Sequence, residues 1–513
     1  MSLLYEFLSF LLLIQILQTQ CKTSTQFNSL IKTNHHHRFK KSINEKKIIS
    51  TSTYILTFND SFPCLSLHNH IHTNLLVLYS FPFFKTCVIS INDSDLNSND
   101  ILLDKINLIP QLVSVVHDIH TLLSSSSLHK KTTIINPPLS TSPNQNVWHL
   151  DYLDHPPLSP FLFDYSFSPC KFYHQPTVYI LDTGSNCLHS QFSHSSCINL
   201  AQFSSTEGPH ITNCQSSQCL NDNNGHGTHI NSLINAKNTG ININIHTAAI
   251  KILNFNGEGY FSDVLAALNF IIPLAVNQKN LNSTNPIIIS LSIGCSCLPS
   301  QSCSECASQC PKFFAQTADP FLQYANDHNI LFTIAAGNEF CDACHLSPFN
   351  TNINYFPPNV YIVASSNMNN SLSSFSNYGK CVDIAAPGEN IWGATHLNNI
   401  SLLPFSGTSQ STPIVAAILA QIPSNFHNHS TTILKQLLSL NSYHIPTHHY
   451  NIISSRLFCS LHLNSNSDSP SPSLSSNPPT STHHTATSTF IVLGLFLSFF
   501  FLFILFISFY ILK

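Results

Sequence analysis

Charge is scarce in this chain. Asp, Glu, Lys and Arg make up only 9% of its 513 residues, against roughly a quarter in an ordinary soluble domain, and the formal net charge is −4. No basic patch is available for nucleic acid, and no acidic tail for a cationic partner. Metal patterns are equally thin. Cys303 and Cys306 form a Cys-x-x-Cys pair, but no matching His pair follows at the short interval of a zinc site. The histidine run at 35–37 reads as a polar tract in a chain rich in Asn, Ser and His. No acidic loop identifies a calcium site, and nothing in the sequence requires a cofactor.

Long apolar runs are present at both ends. Residues 1–20 are apolar from Leu8 to Leu17 and read as a secretory signal, although they lack an early Lys or Arg and an Ala-x-Ala cleavage site. Residues 490–512 are uncharged and apolar; at 1.5 Å per residue a helix there spans about 35 Å, enough to cross a bilayer core. The segment before it is rich in Ser, Thr, Pro and Asn and reads as a stalk. A spanning helix and a signal for lipid anchoring both suit such a tail. The domain reading is a signal peptide (1–20), an N-terminal part (21–146), a main domain (147–456), a stalk (457–488) and an anchor (489–513). Seventeen cysteines on a secretory route indicate disulfides rather than metal. Sequons occur at Asn59, Asn92, Asn282, Asn369, Asn399 and Asn428.

Three short strings carry the chemistry: Ile180-Leu181-Asp182-Thr183-Gly184, Asn224-Gly225-His226-Gly227-Thr228-His229, and Ser406-Gly407-Thr408-Ser409-Gln410-Ser411-Thr412-Pro413. A serine hydroxyl is a poor nucleophile until a base removes its proton. Here His226 is the candidate base for Ser409, and Asp182 the group that holds the imidazole tautomer. The tetrahedral intermediate needs donors at its oxyanion, and the backbone N–H of Ser409 is a candidate. The apolar stretch at 414–419 reads as a buried helix with Pro413 in its first turn, where the missing N–H is tolerated, and His229 is expected to be structural.

These strings, in this order, resemble those of subtilisin-like serine proteases, on the proteinase K-like branch of the subtilase family. Further stretches agree. Ile250 to Tyr260 resembles the substrate-binding strand and glycine loop. Ile289-Ser290-Leu291-Ser292-Ile293-Gly294 resembles the second substrate edge, with Cys295 replacing a glycine. Ala335-Ala336-Gly337-Asn338 resembles the oxyanion segment, which implies the Asn338 side chain as the second oxyanion donor. The resemblance implies a three-layer α/β subtilisin-like fold with a parallel central sheet, preceded by a small α+β propeptide acting as the chain's own inhibitor. It implies polypeptide substrates lying extended between Gly257-Glu258-Gly259 and Ser292-Ile293-Gly294. It also implies a disulfide between Cys344 and Cys381, and places Gln410 where relatives carry Met. Relatives often bind calcium, so structural calcium is allowed, with no site identified here.

Strands are expected at 178–181, 248–253, 287–291 and 330–335, and crossover helices at 261–276 and 315–326. In the propeptide, Thr53–Phe58 and Leu112–Val116 resemble its first and last strands. Cleavage is expected between Lys131 and Trp148. Glu258 reads equally as a subsite for basic side chains or as a solvated loop carboxylate. The leading reading is a membrane-anchored serine endopeptidase made as a zymogen. The alternative is a non-catalytic surface binding protein that keeps the fold.

Overall fold

The computed structural model describes residues 51–59, 63–67, 75–92, 106, 109, 112–118, 120–123, 147–154, 176–192, 196–203, 222–280, 286–295, 301–309, 313–346, 358–422, 443–445 and 450–452. The expected signal, stalk and anchor, the residues from 124 to 146, and Asn282 and Asn428 lie outside them. The chain divides into two compact units, 1–462 and 463–513, and the second also lies outside the described residues.

The N-terminal part contributes β1 (Thr51–Phe58), β2 (Leu75–Phe81), β3 (Thr86–Asn92) and β4 (Leu112–His117), an antiparallel sheet in the order β2-β3-β1-β4. Its period-2 patterning is two-sided. Leu56, Phe58, Cys87, Ile89 and Ile91 form a core of their own with Cys64 and Leu67. Ile55, Val88, Tyr79, Phe81 and Phe84 join the main core instead. A Cys64–Cys87 disulfide staples this sheet. A fifth strand, β5 (His120–Leu123), leaves it to pair elsewhere.

The larger part begins with α1 (Trp148–Asp154), whose Trp148, Leu150, Tyr152 and Leu153 enter the main core. Then come β6 (Thr177–Asp182), β7 (Cys197–Gln202), α2 (His226–Asn235), β8 (His246–Lys251), β9 (Glu258–Tyr260) and α3 (Phe261–Asn280). Next are β10 (Ile287–Leu291), β11 (Ile293–Cys295), α4 (Cys303–Gln309), α5 (Phe313–Asp327), β12 (Ile330–Ala335) and α6 (Ala343–Leu346). The last are β13 (Val360–Ser366), β14 (Ile384–Pro387), β15 (Ile391–Ala394), β16 (Leu402–Phe405), α7 (Thr408–Ala420), β17 (Tyr443–Ile445) and β18 (Tyr450–Ile452).

The central sheet runs β17-β18-β14-β13-β12-β10-β6-β8-β7, and every neighbouring pair except β17–β18 is parallel. Continuous apolar runs such as Ile287-Ile288-Ile289 suit strands covered on both faces, and β10, β12 and β13 are buried along their whole length. Helices α2 and α7 pack on each other and on the sheet; α3 and α5 make a second such pair. This is the expected three-layer α/β arrangement. By length and composition the 261–278 stretch of α3 is apolar enough to cross a membrane, yet most of it is buried inside the fold.

The N-terminal sheet docks on the second helix pair. Phe84 stacks on Phe321 with ring centroids 3.7 Å apart, and Phe83 meets Tyr324 edge-on at 4.7 Å. Tyr79 donates its hydroxyl to Asp263 at 3.1 Å. Buried Asp118 accepts from the backbone N–H and hydroxyl of Ser262 at 3.1 and 2.6 Å, capping the start of α3.

Candidate active site

Parallel sheets place their ligand crevices beyond the carboxyl ends of the strands, and β6 ends there on Asp182. The carboxylate is 1% exposed. Its Oδ1 accepts the N–H of Thr183 at 2.7 Å. His226 opens α2 and is 2% exposed; its Nδ1 lies 2.9 and 3.0 Å from Oδ1 and Oδ2 of Asp182. A carboxylate accepts only, so Nδ1 carries the proton and Nε2 of the neutral ring holds the lone pair. That Nε2 is buried and has no hydrogen-bond partner among the described residues.

Two glycines frame His226. Gly225 has φ +99°, and a Cβ there would strike the ring of His396 rather than His226. A Cβ on Gly227 would meet the carbonyl of Gly184, Thr183 Oγ1 and Asp182 Oδ1, so only glycine lets α2 approach the end of β6 this closely.

Ser409 is the second residue of α7 and is fully buried. Its hydroxyl donates to the carbonyl of Ser292 at 3.4 Å, a long contact, and in return the Ser292 hydroxyl donates to the Ser409 carbonyl at 3.1 Å. Pro413 does not fall in a first turn as expected. The helix starts at Thr408, so Pro413 sits beyond the first turn, where it removes the N–H that would bond the Ser409 carbonyl four residues back. The Ser292 hydroxyl supplies that missing donor.

Asn338 lies just past β12 in a loop bonded to the same turn. Its Oδ1 accepts the N–H of Thr408 at 2.8 Å, while Thr408 Oγ1 accepts the N–H of Gly337 at 3.1 Å. Buried Asn377 holds the loop from behind, accepting from the N–H groups of Glu339 and Cys341 at 3.1 and 2.8 Å and donating to the Ala336 carbonyl at 2.9 Å. With its oxygen engaged, the Asn338 amide presents NH2 as its donor end. Disulfides Cys303–Cys341 and Cys344–Cys381 tie down the 341–344 segment. Asp342, Cys344 and Cys381 cluster within 4.8 Å, but both sulfurs are already in the disulfide and cannot serve as thiolate ligands.

The two expected substrate edges, Gly257-Glu258-Gly259 and Ser292-Ile293-Gly294, overlap β9 and β11. Between them lies β5, antiparallel to both: Thr121 pairs with Gly259 and Cys295, Leu122 with Glu258 and Gly294, Leu123 with Ile293. Glu258 Oε2 accepts from the side-chain amides of Asn254 and Asn256, each at 3.4 Å. Gln410, beside the nucleophile candidate, is fully buried, and neither of its amide atoms is hydrogen-bonded among the described residues.

His229, one turn after His226, bonds through Nε2 to the carbonyls of Ile391 and Leu403 at 3.0 and 3.1 Å and stacks on Phe405 at 4.4 Å. Burial, aided by the neighbouring His226, pushes its pKa down to about 3, so it stays neutral and structural. His149 on α1 is likewise buried, against the Thr239 carbonyl at 3.0 Å, and burial lowers it to about 4. The motifs did not bring forward Asp222, Thr183, Asn377 or the Ser292 hydroxyl. For Asp222 a signal existed: an Asp with Asn-Asn-Gly after it, directly before His226, is a turn sequence.

Comparison with known proteins identifies the family. The family description Peptidase_S8, the subtilase family, matches residues 174–465. The subtilase-type proteinase psp3 of Schizosaccharomyces pombe is 30% identical, over 51% of this chain and 50% of its own. The subtilisin-like serine protease Rho m 2.0101 of Rhodotorula mucilaginosa is 31% identical, over 47% and 61%. Subtilisin-like protease 3 of Saccharomyces cerevisiae is 30% identical, over 48% and 44%. This chain thus spans about half the length of the curated relatives it matches. A crystal structure of a cold-adapted subtilisin-like serine proteinase aligns with 60% of this chain and 98% of that one, at 25% identity and a TM-score of 0.46. With the family match covering more than half of its residues, the chain belongs to the subtilase family.

Proposed function

We propose that the chain is a serine endopeptidase in which Asp182, His226 and Ser409 act together. The observation that carries this reading is the buried His226, held by Asp182 through Nδ1 and left with an Nε2 that has no partner among the described residues. The Ser409 hydroxyl turns from the Ser292 carbonyl to that Nε2, loses its proton to it and attacks the scissile carbonyl. The Ser409 N–H and the Asn338 amide stabilise the oxyanion, His226 returns the proton to the leaving amine, and water then releases the acyl group.

Substrates are polypeptides bound extended between β9 and β11 through main-chain hydrogen bonds. The seat of β5 between these edges supports a zymogen whose own N-terminal part blocks the cleft. The maturation cut expected between Lys131 and Trp148 falls largely on residues outside the described ones. The disulfides fit an oxidising compartment, and the apolar 490–512 run fits an anchor that holds the catalytic part on the lumenal or outer side of a membrane. Deleting residues 490–513 is then expected to release soluble protein into the medium.

The test is Ser409→Ala. Hydrolysis of a fluorogenic peptide library should disappear, and the variant should accumulate as the longer precursor. Wild-type turnover in the variant would refute the reading.

A further inference from the structure

We infer that Asp222 is a positioning residue for the Asp182–His226 pair, an inference that rests on the peptidase reading above. Asp222 is 4% exposed and precedes α2. Its Oδ1 accepts from Gly225 N–H at 2.7 Å, Thr183 Oγ1 at 2.9 Å and Asn224 N–H at 3.0 Å. Its Oδ2 accepts from Thr228 Oγ1 at 2.6 Å and Thr228 N–H at 2.8 Å.

These bonds have a fixed direction. A carboxylate only accepts, so both threonine hydroxyls must spend their protons on Asp222. That turns their oxygens into acceptors. Thr183 Oγ1 takes the N–H of Gly227 at 2.9 Å, and Thr228 Oγ1 takes the N–H of Asn186 at 2.9 Å. The N–H of His226 itself goes to Asn224 Oδ1 at 3.1 Å, and Asn224 N–H is one of the five donors on Asp222. Gly225, just before α2, has no side chain to cap with, yet the first three helical N–H groups all meet side-chain oxygens organised by Asp222.

The consequence is a second link beside the first. Asp182 bonds His226; the adjacent Thr183 is clamped to the residues on both sides of His226, to Gly225 by way of Asp222 and to Gly227 directly. The end of β6 and the start of α2 cannot shift relative to each other without breaking this ring, so the direction of the His226 ring is set twice. A misplacement of about 1 Å at such a base costs on the order of 10² in rate.

The test is Asp222→Asn, which keeps shape but replaces one acceptor oxygen with an NH2 facing donors. We expect kcat to fall about 10- to 100-fold with KM within about twofold. On an Asp182→Asn background the same change should lower the residual kcat no further, because Asp222 acts through that pair. Full-size additional loss on that background, or unchanged kcat with only a lowered melting temperature, would overturn the inference. Should Asp222→Asn not fold, Thr183→Val carries the same test, with a kcat loss of about tenfold expected and an unchanged kcat decisive against it. Ser409→Ala, assayed in parallel, separates failure of this inference from failure of the peptidase reading.

Discussion

Asn338 and Ser292 make different demands on a single atom each. Asn338 is anchored by its oxygen, so its contribution to a reaction lies in its NH2 end. Asn338→Ala should therefore lower kcat by about 10² to 10³ with KM little changed, as read by steady-state kinetics on a peptide substrate. Ser292→Ala instead takes away the donor that serves the Ser409 carbonyl in place of Pro413. Loss of that buried hydrogen bond costs about 1 kcal/mol, which urea denaturation would register as a lowered midpoint at unchanged slope. At this scale the sequence names Asp182, His226, Ser409 and Asn338 because each sits in a short local string. It does not reveal Asn377 or the Ser292 hydroxyl as supports, because their partners lie up to 117 residues away and the pairing is a product of the fold; of the Asp222 bonds only the one to Thr183 is of that kind, the others lying within the turn that precedes and opens α2.

Among the elements, those buried on both faces were the readable ones. β10 and β12 run over the expected residues, β6 and β8 differ by a residue or two at their ends, and α3 and α5 extend the expected helices. Apolar runs bounded by turn residues carry that signal locally. β5 carried no such signal. His120-Thr121-Leu122-Leu123 is a strand only because two distant edges offer it hydrogen bonds, which is tertiary context rather than propensity. The same dependence on main-chain bonds gives a prediction. Thr121→Pro removes a ladder donor, so the detached N-terminal part carrying it should inhibit the enzyme at least about tenfold more weakly than the unaltered part, measured as an inhibition constant.

For the whole molecule, two buried neutral imidazoles set an acid limit. The pKa of His149 is about 4 in the fold against an ordinary 6.5, so the unfolded chain binds the proton more readily. Stability is unaffected above about pH 6.5 and falls as pH drops from there towards 4, by about 3 kcal/mol for His149 alone, with His229 steepening the same slope. Chemical denaturation between pH 7 and pH 4.5 should show the loss, and His149→Gln should flatten it. A pH-independent midpoint would show that neither imidazole is held neutral by the fold. The central claim is that burial and a carboxylate make His226 the base for one particular serine. Its most direct measurement is covalent labelling of the protein with a serine-directed fluorophosphonate after removal of the N-terminal part, with the adduct mapped by peptide mass spectrometry. The account predicts a single adduct on Ser409 that is lost in His226→Ala. Label absent from Ser409, or retained undiminished in His226→Ala, would contradict it.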